Sequence, residues 1–549
     1  MFIRFNQSWQ AERLGIFETE VLSESELITG GLTWTLEKTD VAVEDQIPKP
    51  IPRSDEESEM TYFSHVLGEV VPHYAKTLKQ EQECDMSFSH GFYSAWKNSK
   101  TTYCKPINNN PKNSRVDCYR YQQPRHSGFD IFCSMNNVLI DFSQVTNMTD
   151  QCNEEWGVDG CKRYYDFPYG SIQGTCEKEP QFSTTERWPT GHFQQLNRPF
   201  FNGFESLNDL ESIGSVEDIV TVNNPVLLVA RDGAFNTYHS MEDYINAFLV
   251  LESLQINPKE EKLDVLIMDQ DVNGPYVPMF EKAFSYRNNN FKTRIITKHW
   301  VPKGKKVFFK NVIVNMTGVS SPIVKDMSAV SPCSPATDLF VTFGRHILKS
   351  FGFQVPKYST KSEPKPTLTN SNTLHLNLTI IDRKFHHLRV DANRGINNMV
   401  ELVQALDETF SSISVMGVDV SLKLNVIDLA TIPFEKQLEI IYNTQILMGV
   451  HGAGLTHMLF MAGGANILQY DPFKTAQVIE KPQWVCGGGS IIEIPPMYGN
   501  HYINLAAWTG RFYQVASTGS PEVSIDEIVS KVRTSIDNCV KFYQTNFGQ

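Results

Sequence analysis

The chain has 549 residues, 41% of them hydrophobic and 11% aromatic, with a formal charge of −13. That length supports two or three domains, each with its own core. The acidic balance argues against a nucleic-acid partner, and no apolar run approaches the roughly 18 residues needed to span a membrane.

Residues 1–60 end in the acidic, proline-rich tract VEDQIPKPIPRSDEESEM, a composition that predicts poor order. The opening MFIRFNQSWQAERLGIF lacks the apolar stretch of a signal peptide, so either the protein is cytosolic or a leader lies outside this sequence. Residues 61–200 hold seven of the ten cysteines: Cys84, Cys104, Cys118, Cys133, Cys152, Cys161 and Cys176. None forms a C-x-x-C pair, so a zinc site is not expected. Dense cysteines without metal spacing point to disulfides and an oxidising compartment. Sequons at Asn6, Asn147, Asn315 and Asn377 agree with the lumen of the endoplasmic reticulum or Golgi. This region reads as an irregular, cysteine-rich N-terminal subdomain packed on a lobe.

Residues 201–355 carry the pattern of a first α/β lobe. Pro225–Ala230 and Leu263–Met268 are continuous apolar runs of strand length, as in a parallel sheet covered on both faces. Met241–Leu254 has helical spacing between them. The stretch ARDGAFNTYHSMEDY follows the first strand and gathers Asp232, Asn236, Tyr238, His239 and Asp243 where strand gives way to helix. His239 and Asp243 are four apart, share a helix face and can pair. A histidine backed by a carboxylate suits proton removal. The bland alternative is that Asp232 or Asn236 caps the helix and His239 is structural. Asp269-Gln270-Asp271 has the form of a D-x-D metal motif, but acidic residues are common at strand ends and no metal ligand is assigned on three residues.

Residues 356–373, rich in Pro, Ser, Thr and Lys, predict a linker, and residues 374–549 a second α/β lobe. In it, Arg383 follows a strand and Arg394, Asn398 and Glu401 precede or open a helix. Arginine forks suit diphosphate oxygens, although such residues are also ordinary solvated surface. Residues 445–470, QILMGVHGAGLTHMLFMAGGANILQY, predict strand, glycine-rich loop, helix and strand. A glycine loop opening a helix can turn backbone N–H groups on an anion. Here that loop is His451, Gly452, Ala453 and Gly454, with Leu455, Thr456 and His457 leading the helix. The alternative is a plain tight turn. The spacing matches neither G-x-G-x-x-G nor the P-loop signature.

The segment GVHGAGLTHMLF resembles the signature of glycosyltransferase family 61, in particular its EGF-domain-specific O-linked N-acetylglucosamine transferases. The family's D-x-x-x-N-x-Y-H-x-x-x-D stretch is met by Asp232, Asn236, Tyr238, His239 and Asp243, and its R…R-x-I-x-N-x-x-E pattern by Arg383, Arg394, Asn398 and Glu401. Gln469 departs from it, standing where the family usually has Glu. The resemblance implies a GT-B-like enzyme of two Rossmann-like lobes. It further implies inverting transfer from a UDP-sugar, N-acetylglucosamine first and xylose second, to a protein Ser/Thr hydroxyl or a glycan. The base would be Asp232, His239 or Asp243, and the donor would sit on Arg383, Arg394 and residues 451–457. No cofactor is required by this arrangement, and a divalent cation such as Mn²⁺ would act at most as a stimulator. An inactive carbohydrate-binding relative is the alternative of a different class.

Overall fold

The computed structural model describes residues 78–88, 90–121, 130–147, 151–152, 161–162, 165–179, 201, 203–207, 219–268, 274–286, 306–324, 338–353, 373–383, 395–450, 452–461, 466–471, 512–517 and 522–547. The expected N-terminal tract, the expected linker up to residue 372, Asp269-Gln270-Asp271, Arg394 and His451 lie outside them.

Two helices, α1 (Leu78–Phe88) and α2 (His90–Asn98), precede a meander of β1 (Lys100–Pro106), β2 (Arg115–Tyr121) and β3 (Asp130–Asp141). Short strands follow: β4 (Ile172–Gly174), β5 (Cys176–Lys178), β6 (Phe204–Ser206) and β7 (Ile219–Val222). The α/β pattern then begins with β8 (Val226–Val229), α3 (Thr237–Leu254), β9 (Asp264–Ile267), α4 (Val277–Ala283), β10 (Lys306–Val314) and α5 (Asp338–Ser350). Strand β8 lies between β9 and β10, parallel to both. Strand β10 also runs antiparallel to β3, from Lys306↔Asp141 to Val314↔Cys133. Through that pairing the cysteine-rich segment extends the sheet of the first lobe. Over its described part, the region read as irregular holds two helices and a run of antiparallel strands.

The disulfides follow the registers. Cys118 and Cys133 are opposite residues of β2 and β3, and Cys104 joins Cys176 across the β1–β5 pair. Bridges that close loops of 15 and 72 residues restrict the unfolded chain, contributing about 3 and about 4.4 kcal/mol in the loop-entropy account. Asn315, one of the four sequon asparagines, is buried and donates to the Asp243 carbonyl. A glycan cannot be carried there in this fold.

The second sheet is built from β11 (Thr373–Ile381), α6 (Met399–Phe410), β12 (Ile413–Val415), β13 (Val418–Ile427), α7 (Phe434–Tyr442), β14 (Ile446–Val450), β15 (Asn466–Asp471), β16 (Phe512–Ser517) and α8 (Ile525–Phe547). Its order is β12-β13-β11-β14-β15-β16, parallel except for the β12–β13 hairpin. That hairpin turns on Met416 and Gly417, both at positive φ, as a two-residue primed turn requires. Ser524 caps α8, accepting the Glu527 N–H.

Strand β14 leads into a 3-10 helix, Ala453–Phe460, where an α-helix was expected. This segment packs against α3 and α5 of the first lobe and α7 of the second. Leu455, Met458 and Phe460 share one buried cluster with Phe434 and Ile441 on α7 and with Met241, Ile245 and Phe248 on α3. The lobes are thus joined through a common apolar core. Helix α3 is buried on nearly every side, as expected of a helix enclosed by neighbours rather than lying on a surface.

Candidate active site

Two groups of residues stand out, one on each lobe. The first forms where β8 ends. Asn236 caps α3, its side-chain oxygen accepting the Tyr238 N–H at 3.0 Å, so the capping alternative holds for this residue. Tyr238 is buried and its hydroxyl donates to the Ile323 carbonyl. Both build the turn.

The pairing expected from i,i+4 spacing moves by one residue. His239 Nδ1 lies 3.0 Å from Glu242 Oε1 and 3.8 Å from Asp232 Oδ2. Asp243 is fully buried, and its Oδ2 accepts the backbone N–H of Asp232 at 2.8 Å, which holds the strand-to-helix turn. Glu242 was not singled out in the sequence, although an i,i+3 pair shares a helix face as well as an i,i+4 pair does. Asp232 and Glu242 are buried, while the His239 side chain keeps 23% of its surface exposed. His239 is thus the member of the group that reaches solvent.

The electrostatics follow from burial. The Glu242 carboxyl is held well above its ordinary range, first by loss of water and then by the adjacent Asp232 carboxylate. Gly318 lies over the pair. A Cβ at that position would stand 2.6 Å from Asp232 Cβ and 2.7 Å from Glu242 Oε2, so only glycine fits. Asp232, His239 and Glu242 each offer a ligand atom, all within 4.8 Å of one another, a spacing that could hold a cation.

The second group surrounds the glycine loop. Gly452 leads from β14 into the 3-10 helix, and its carbonyl accepts the Leu455 N–H at 3.0 Å. A Cβ on Gly452 would be 2.6 Å from Arg383 Nη1. The guanidinium at the end of β11 therefore rests on the loop backbone, and the two expected donor-binding features meet. Ala453 and Gly454 are partly exposed beside it.

The rest of the expected donor set turns inward. Leu455 and Thr456 are fully buried. His457 is also buried: Nε2 is 2.7 Å from Gln437 Oε1, and Nδ1 is 2.9 Å from the Gly454 carbonyl. The Gln437 amide nitrogen already donates to the carbonyls of Leu429 and Ile432, so its oxygen is the atom that accepts from the ring. Burial pushes the His457 pKa down to about 4. His457 ties the loop to α7 and does not face a ligand as expected. Asn398, expected in the cleft, instead bonds both ways with the backbone of Val523, fastening α6 to the start of α8. Glu401 sits exposed in the first turn of α6.

Comparisons with known proteins find a match over the stretch that carries most of these residues. Residues 237–468 match the family model described as Glycosyltransferase 61, which takes in His239, Glu242, Arg383 and the glycine loop. An EGF domain-specific O-linked N-acetylglucosamine transferase of Canis lupus familiaris is 26% identical over 375 residues, 67% of this chain and 59% of that protein. Proteins of the same name from Drosophila melanogaster and Gallus gallus are 25% and 24% identical, over 65% and 68% of this chain and 58% and 59% of their own lengths. The matches span about three-fifths of the length of these relatives. The likeness to the glycosyltransferase 61 family thus covers residues 237–468 of this chain.

Proposed function

We propose that the protein transfers a sugar with inversion from a UDP-sugar to a Ser/Thr hydroxyl of a protein or to a glycan. N-acetylglucosamine is the first choice of sugar and xylose the second, in a GT-B-like arrangement. The observation that carries this reading is the Arg383 guanidinium seated against Gly452 at the mouth of the 3-10 segment. A fork of cationic N–H donors beside the amide-rich start of a helix suits a departing diphosphate, which gains negative charge in the transition state. On the other lobe, the acceptor hydroxyl surrenders its proton at the cluster of Asp232, His239 and Glu242, where His239 is exposed. The helix bearing that cluster packs against the 3-10 segment, which favours one site shared by both lobes. The names of the relatives favour a protein acceptor and N-acetylglucosamine. The disulfides fit the secretory lumen, and no helix among the described residues is long and apolar enough to cross a membrane.

The purified protein, offered a panel of UDP-sugars with EGF-like domains and glycans as acceptors, should consume one donor far faster than the others. His239→Ala should lower that rate roughly 10²–10⁴-fold, the usual worth of positioned proton transfer, and leave UDP affinity nearly unchanged. No turnover of any donor, or full turnover by His239→Ala, would contradict the reading.

A further inference from the structure

We propose that His457 takes up a proton when a nucleotide diphosphate settles on the glycine loop, so that donor binding is coupled to pH. The inference rests on the reading above, that the loop takes a diphosphate, and adds a regulation of that same site. It starts from a hydrogen-bond conflict. The Gln437 amide nitrogen donates to the carbonyls of Leu429 and Ile432, which fixes its oxygen toward His457 Nε2 at 2.7 Å. On the other side of the ring, Nδ1 stands 2.9 Å from the Gly454 carbonyl. Both neighbours are acceptors. A neutral imidazole has one N–H, so it answers only one of them and turns a lone pair on the other. Flipping the Gln437 amide gives no relief, because its oxygen would then face two carbonyls. Only the imidazolium, a donor at both nitrogens, satisfies both contacts.

Burial opposes that charge. His457 is 1% exposed, with the rings of Phe434 and Phe460 each 6.4 Å away between centroids. Loss of water holds its pKa at about 4, and the Gly454 carbonyl offsets only part of that. No acid or base on α3, α5 or α7, the helices packed on this segment, contributes to the shift. The cation that faces the loop from β11 is Arg383, at Gly452. Without an anion, His457 is therefore neutral, with one of its two contacts unsatisfied. A diphosphate on the loop changes the balance. Gly454, whose carbonyl the ring touches, belongs to that loop, so the anion acts on the ring largely through protein, where charges interact more strongly than across water. A proton from solvent then adds to Nδ1, and both acceptors are met. The coupling is reciprocal: a positive charge behind the loop favours the anion by the same factor. The free pKa is about 4 and the bound pKa lies higher, so affinity rises as pH falls toward 4 and weakens as pH climbs.

The test uses the full chain with UDP-N-acetylglucosamine and UDP-xylose, whose diphosphates are diesters and lack the terminal phosphate that titrates at about pH 6 in UDP. Calorimetric titrations in two buffers of different ionisation enthalpy count the protons taken up. The wild-type chain should gain a net fraction of a proton per donor bound, and its dissociation constant should rise by up to about tenfold per pH unit as pH climbs. His457→Gln, which keeps a donor for Gln437 Oε1 and cannot gain a charge, should bind with a dissociation constant that barely moves with pH. Should that variant fail to fold, ¹⁵N-histidine NMR of the wild-type chain serves instead. On addition of donor, one buried ring should gain a second slowly exchanging N–H, and its absence overturns the proposal. The proposal is equally overturned if a donor binds with no net proton uptake, or if His457→Gln takes up as much as the wild type, which would put the proton on His239 or His451. Binding without uptake removes only this coupling and leaves the transferase standing. Failure of both donors and of UDP to bind removes both.

Discussion

Glu242 shows how a single side chain alters the chemistry of the first lobe. It takes the place beside His239 that spacing assigned to Asp243, and Asp243 is left to hold the Asp232 amide. A second titrating group at this scale is a half-buried histidine elsewhere. His346 lies on α5 against Phe248 and Phe284, with its Nε2 at the Ala283 carbonyl. Burial lowers its pKa to about 4, outweighing that hydrogen bond, with a smaller contribution from Lys259. A lowered histidine pKa means that the folded protein resists the proton that the unfolded chain accepts. Stability is therefore full above the ordinary value near 6.5 and is lost as pH falls from there toward 4. The loss from His346 is on the order of 3 kcal/mol. Urea midpoints measured between pH 7 and pH 4.5 should fall steeply, and His346→Gln, which can still donate to Ala283, should flatten the slope. An unchanged slope in that variant would show that His346 does not titrate this way.

At the scale of elements, the strands were the most legible part of the sequence. PVLLVA and LDVLIM became β8 and β9 because both faces are covered, which leaves a continuous apolar run. The helix opening near Asn398 and Glu401 likewise formed, as α6. The meander β1–β3 did not, since its polar and aromatic residues serve cross-strand contacts and disulfides that only the partner strand explains. The 453–460 helix kept its place but not its type, because its inward residues are fixed by two lobes at once. In the site, the meeting of Arg383 with Gly452 was legible as two separate motifs, whereas the inward turn of His457 and Asn398 depends on neighbours far along the chain. Asn398 offers a check on that division. Asn398→Ala removes both hydrogen bonds to Val523 and should cost about 1–2 kcal/mol in thermal or urea unfolding, leaving the UDP dissociation constant unchanged. A tenfold loss of UDP affinity with unchanged stability would return Asn398 to the binding site.

For the whole molecule, the arrangement of lobes decides the account. A core shared by α3, α7 and the 3-10 segment fixes the first lobe's polar cluster against the helix whose beginning carries the glycine loop. Neither lobe holds both parts. The fold therefore earns its function only if the loop and Arg383 take a nucleotide diphosphate. Calorimetric titration of UDP into the wild-type chain and into Arg383→Ala tests this most directly. The account expects one UDP per wild-type chain and an affinity about 10–100-fold weaker in the variant, the worth of a charge-assisted hydrogen-bond pair. Absence of UDP binding, or equal affinity in the two proteins, would contradict it.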